Sequence, residues 1–135
     1  MVDAVAEASG SPVGLYGHSF GGLCAFGGAT LTANVGRLVL YEGWPPVDPG
    51  RHRLLPGFGD RLDALLAEGD HEAVVETMFR EVVGMPEAEL AAVRAQPSWP
   101  ARVAAAPTLV RELRAIPETP LDLGQAARVG MATLL

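Results

Sequence analysis

Pro12-Val-Gly-Leu-Tyr-Gly-His-Ser-Phe-Gly-Gly-Leu-Cys-Ala-Phe26 decides how the rest of the chain is read. An apolar run, Val13–Tyr16, leads into Gly17-His18-Ser19-Phe20-Gly21, and a helical pattern follows. A serine at so tight a turn between strand and helix is forced into a strained backbone conformation. The chain then passes close on both sides, and the neighbours must be small; Gly17, Gly21 and Gly22 meet that need. The hydroxyl of Ser19 is thereby presented at a helix N-terminus, where the dipole and free N–H groups favour developing negative charge. The N–H of Phe20 is placed to be an oxyanion donor. Five residues of G-x-S-x-G alone carry little weight in a chain with 16 glycines. The strand before, the extra small residue Gly22 and the apolar helix behind are what make the pattern informative.

This segment resembles the nucleophile elbow of the α/β-hydrolase superfamily. Arg37-Leu-Val-Leu-Tyr-Glu42, followed by Gly43-Trp44-Pro45-Pro46, is similar to the next strand of that fold and its exit toward a helical cap. The resemblance covers most of the chain, with the elbow its diagnostic part. It implies an α/β architecture: a partial α/β-hydrolase fold of two or three parallel strands with a crossover helix, plus an all-helical cap segment. It also implies hydrolysis of an ester, thioester or similar acyl substrate, with Ser19 as nucleophile. Serine rather than aspartate at the elbow is unlike the haloalkane dehalogenase and epoxide hydrolase branches, which also carry caps.

A serine hydroxyl needs a base to take its proton, and the base needs an orienting acid. In the superfamily the order along the chain is Ser, then Asp or Glu, then His. The resemblance implies that this acid and His lie past Leu135, and that the oxyanion loop precedes Met1. The chain is therefore expected to correspond to the middle of a hydrolase and to be nearly inactive alone. Glu42 ends the strand after the elbow helix, where some members of the superfamily carry the acid; it is a candidate alternative acid, set against a plain structural carboxylate. The sharp turn should direct His18 away from the Ser19 hydroxyl. His52 and His71 read as surface residues, and Trp44, Trp99 and Phe79 as cap packing.

The chain has 135 residues, 49% apolar and 19% charged, enough for a domain with a real core. Net charge is −6 and all ten basic residues are arginine, with no basic stripe, which argues against nucleic acid or an anionic membrane as partner. The single cysteine, Cys24, excludes an internal disulfide and reads as a small core residue. No metal-ligand spacing is present, and no cofactor is implied. The start Met1-Val-Asp-Ala-Val-Ala-Glu7 lacks a basic region and a long apolar core, so it does not read as a signal peptide. No apolar run approaches the length of a membrane span. A cytoplasmic protein is the expectation.

Taken in order, Val2–Ser9 has helical spacing and is stopped by Gly10 and Pro12. Val13–Tyr16 and Leu38–Tyr41 are continuous apolar runs, the signature of parallel strands buried on both faces. Phe20–Leu31 suits the crossover helix, with Gly27 and Gly28 explained by tight packing on the strand. A proline-rich linker follows Trp44. Four helical patterns come next: Leu62, Leu65 and Leu66; Val75, Met78, Phe79 and Val82; Pro86 opening a third with Leu90 and Val93; and Leu109, Leu113 and Ile116. Their acidic residues read as solvated outer faces rather than a docking surface. Residues 117–125 read as a loop and Arg128–Leu135 as an entering strand. The expected division is core over 1–43, cap over 44–126 and a further core strand over 127–135. The apolar face of the cap would line a site for a small hydrophobic acyl-type substrate. The alternative reading is a non-catalytic fragment or pairing module that needs another chain to complete its fold, self-associating through an open sheet edge.

Overall fold

The structure is a computed structural model, and it describes residues 1–43, 56–116 and 122–135. Its contacts divide the chain into two units, Met1–Arg51 with Glu118–Leu135, and His52–Pro117. Trp44, the proline linker and His52 lie outside the described residues.

The first unit contains α1 (Val2–Ser9), β1 (Val13–His18), α2 (Phe20–Ala29), β2 (Val35–Tyr41), α8 (Leu123–Ala126) and β3 (Ala132–Leu134). Helix α1 stops at Gly10, whose φ of 68° is left-handed and whose N–H returns to the carbonyls of Ala6 and Glu7. The three strands form one parallel sheet in the order β1-β2-β3. Leu15 pairs with Leu38, and the row Tyr16, Val39, Leu134 crosses all three strands. Ala25, Phe26 and Ala29 of α2 pack with Val35, Leu38 and Leu40 to make the core, with Val2 of α1 and Ala126 of α8 against it. These contacts hold the sheet by removing apolar surface from water.

The two strands are not buried on both faces as their apolar runs predict. Side chains alternate along β1, with Leu15 half-buried and Tyr16 exposed. Among the described residues one face of the sheet is covered by helix, while Tyr16 (64% exposed), Tyr41 (54%) and Leu134 (65%) stand on the surface. Periodicity reports what a strand could bury, and burial needs a covering element. Two further expectations fail on α2. A methyl group at Gly27 or Gly28 would meet nothing within 4 Å among the described residues, so no close approach there requires either glycine. Cys24 is exposed rather than core.

The second unit holds α3 (Phe58–Ala67), α4 (His71–Glu81), α5 (Glu87–Arg94), α6 (Trp99–Ala104) and α7 (Ala106–Ala115). Its core joins Phe58, Leu62, Val74, Val75, Leu90, Trp99, Ala106, Val110 and Leu113. Asp70 caps α4 by accepting from Ala73 N–H at 3.0 Å. Arg80 bonds Glu76 at 2.8 Å and Glu87 at 3.0 Å, Arg94 reaches Glu76 at 2.9 Å, and the Trp99 indole N–H donates to Glu72 at 3.0 Å. The network ties α4 to α5 and α6. Among the described residues five helices stand where four patterns are predicted. The extra one, α6, begins Trp99-Pro100, and proline is tolerated in a first turn where its missing N–H costs nothing. Pro86 precedes α5 as its cap instead of lying in its first turn.

Ala126, at the end of the predicted helical segment, packs against the core of the sheet. At the end of the predicted 117–125 loop, α8 forms a single turn that runs on to Ala126. Strand β3 is only three residues long, because Arg128 and Val129 are held in turns back to Gln125 and Ala126. Among the described residues no helix is long and apolar enough to cross a membrane.

Candidate active site

Ser19 stands between β1 and α2, with φ 52° and ψ −124°. That combination lies outside the regions an L-residue ordinarily occupies and persists only where its surroundings impose it. Three backbone bonds do so. The Ser19 N–H donates to the Tyr41 carbonyl at 2.9 Å, which extends the β1–β2 ladder by one residue. The Ser19 carbonyl accepts from Gly22 N–H at 2.8 Å and Leu23 N–H at 3.4 Å, which starts the helix. Its side chain makes no capping bond and is exposed. Phe20 N–H heads α2, in the first turn, where amides have no intrahelical acceptor.

The walls of the turn are glycine backbone. A Cβ on Gly17 would lie 2.6 Å from the Gly22 Cα, and one on Gly22 would lie 2.7 Å from the Gly43 Cα. One on Gly43 would lie 2.8 Å from the Ser19 carbonyl carbon and 2.9 Å from its nitrogen. Real side chains do not approach so closely. Gly21 differs, because a methyl group there meets nothing within 4 Å. The steric demand therefore falls on Gly17, Gly22 and Gly43, not on the second glycine of the pattern. Nothing in the sequence signals this role for Gly43, which reads there only as the exit from the strand toward the cap.

His18 and Glu42 sit side by side at the strand ends. His18 Nε2 is 3.5 Å from Glu42 Oε2, and the His18 ring lies 5.2 Å from that of Tyr41, centroid to centroid. Both side chains are exposed, so the contact is weakly stabilising. Glu42 itself has φ 52°. Its carboxylate is directed to His18. His71 is half-buried at the start of α4, in the helical unit. No imidazole among the described residues hydrogen-bonds the Ser19 hydroxyl. No group of three or more His, Cys, Asp or Glu that could hold a metal occurs among the described residues. Within the helical unit, Val75, Met78, Phe79 and Leu109 wall a hollow of about 210 Å³, smaller than sites for drug-sized ligands.

Sheet, crossover helix and helical segment together make a partial α/β-hydrolase fold. The chain is similar to an α/β hydrolase from Sphaerobacter thermophilus DSM 20745, whose crystal structure it matches with a TM-score of 0.78 and 29% identity. The match covers 96% of this chain and 51% of the other, so the chain spans about half the length of that hydrolase. This likeness supports the α/β-hydrolase superfamily. No family model and no curated protein matches the chain.

Proposed function

We propose that the chain carries the nucleophile elbow of a serine α/β-hydrolase that cleaves an ester, thioester or similar acyl substrate of small, hydrophobic character. The observation that supports this is the backbone of Ser19, held at φ 52° between a parallel strand and a helix. In the reaction a base takes the Ser19 Oγ proton and Oγ bonds the acyl carbon. The substrate's C–O or C–S bond breaks, and the departing alcohol or thiol takes that proton. Water then hydrolyses the acyl-serine to the free acid and Ser19. Phe20 N–H stabilises the negative oxygen of the tetrahedral intermediate. The proton requires a base, and the described residues place none on Ser19, so the chain by itself is expected to turn over slowly.

The test supplies a nucleophile that needs no base. In a Cys24→Ser background, Ser19→Cys presents a thiol at the N-terminus of α2. An elbow thiol is expected to be acylated by p-nitrophenyl acetate with a midpoint well below the ordinary thiol value of about 8.5. A midpoint and rate equal to those of a free thiol would sink the reading.

A second reading is favoured by the uncovered sheet face. Among the described residues β1 is hydrogen-bonded to one neighbour only, β2, and Tyr16, Tyr41 and Leu134 are exposed. All-parallel sheets are normally covered on both faces. On this reading the chain associates with further polypeptide, including copies of itself, through that face and edge.

A further inference from the structure

We infer that Gly43 is a positioning residue for Ser19: the turn leaving β2 holds the serine in its strained conformation. The inference rests on Ser19 being the nucleophile of the proposed reaction. Three observations meet at this point. The Tyr41 carbonyl takes the Ser19 N–H at 2.9 Å, which fixes the backbone on the strand side. Gly43 then lies against the peptide of Ser19 so closely that a Cβ would fall 2.8 Å from its carbonyl carbon and 2.9 Å from its nitrogen. Between them Glu42 adopts φ 52°, a left-handed conformation for a non-glycine residue.

The left-handed Glu42 and the side-chain-free Gly43 after it thus bring the end of one strand onto the strained residue that follows the other. Gly22 closes the arrangement from the helix side, since its own Cβ would meet the Gly43 Cα at 2.7 Å. Strain of this kind survives only when the surroundings over-determine it. Here the surroundings are backbone, which cannot swing aside as a side chain can. A side chain at Gly43 must push Ser19 away from Tyr41, breaking the bond that orients the turn and moving the hydroxyl off the helix axis.

The experiment is amide exchange on the full ¹⁵N-labelled chain, comparing the parent with Gly43→Ala, Gly21→Ala and Gly43→Ala combined with Ser19→Gly. Gly43→Ala is expected to speed exchange at the Ser19 amide roughly tenfold or more while Leu38 and Leu40 keep their protection. Gly21→Ala, which fills open space, should leave Ser19 unchanged. Ser19→Gly, whose backbone can yield, should remove the effect of Gly43→Ala on the rest of the turn. Unchanged exchange at Ser19 in a folded Gly43→Ala chain overturns the inference, as does an equal loss of protection along both strands. If Gly43→Ala alone does not fold, recovery of a dispersed spectrum on adding Ser19→Gly supports the inference, and no recovery overturns it.

A chemical arm reports position rather than folding. In the Ser19→Cys, Cys24→Ser chain, Gly43→Ala should raise the acylation midpoint toward about 8.5. An unmoved midpoint, where the parent's is lowered, counts against Gly43. A parent midpoint that is already ordinary defeats the hydrolase reading instead, and the exchange comparison then judges Gly43 alone.

Discussion

The amide of Ser19 donates to the carbonyl of Tyr41 at 2.9 Å, so the residue that opens helix α2 is also the last rung of the β1–β2 ladder. One backbone position serves two elements whose dihedral preferences conflict, and the conflict is stored in Ser19 as a φ of 52°.

That strain has a direct consequence for stability. Ser19→Gly is expected to stabilise the fold by about 1–2 kcal/mol, because glycine reaches this conformation without steric cost. Ser19→Ala keeps the Cβ and should leave stability nearly unchanged. Urea unfolding of the three proteins checks the order, and an alanine variant as stable as the glycine variant would contradict stored strain at this position.

Glycines on α2 should divide into two classes. Gly22→Ala drives a methyl group against the Gly43 backbone and should cost roughly 1–3 kcal/mol. Gly21→Ala, Gly27→Ala and Gly28→Ala meet nothing within 4 Å and should each raise stability by about 0.5–1 kcal/mol through helix propensity. Thermal unfolding separates the classes by the sign of the shift in midpoint.

Acid should weaken the helical unit through Glu87. Its hydrogen bonds from Arg80 hold its carboxyl below the ordinary carboxylate value of about 4.5. A folded pKa depressed below the unfolded one contributes stability that is present above the unfolded value and lost as pH falls through the folded value. Stability of the unit should therefore decline below about pH 4.5, the more so at low salt. Glu87→Gln should flatten this acid limb and change little at neutral pH. In the other unit Asp3 behaves in the same direction, because Thr32 and Asn34 hydrogen-bond its carboxylate and lower its pKa. Denaturant midpoints measured across pH 2.5–7 for the parent and for Glu87→Gln and Asp3→Asn give the comparison.

On the second reading, association is expected to follow the sheet face that is uncovered among the described residues. Tyr16 and Leu134 lie in one row across the sheet, paired through Val39, and both are exposed. Changing both to serine should lower the average mass seen by light scattering at high protein concentration, while leaving unfolding within about 0.5 kcal/mol of the parent. An average mass that ignores the two changes would place any association elsewhere.

Local chemistry made much of this protein legible from its residues alone. The span of α1, stopped by Gly10, follows from helical spacing and a left-handed stop signal, both properties of neighbouring residues. The strand, turn and helix around Ser19 follow in the same way from glycines within three positions of it. What the sequence could not show depends on residues distant along the chain. Gly43 lies 24 positions after Ser19, and its need to be glycine exists only once β2 is laid parallel to β1 and its exit folds onto the turn. Gly27 and Gly28 show the converse, glycines whose presence suggested close packing that the tertiary arrangement does not contain. The apolar runs of β1 and β2 likewise specified strands but not their burial. Whether a face is covered depends on which helices reach it, and no period along one strand encodes that.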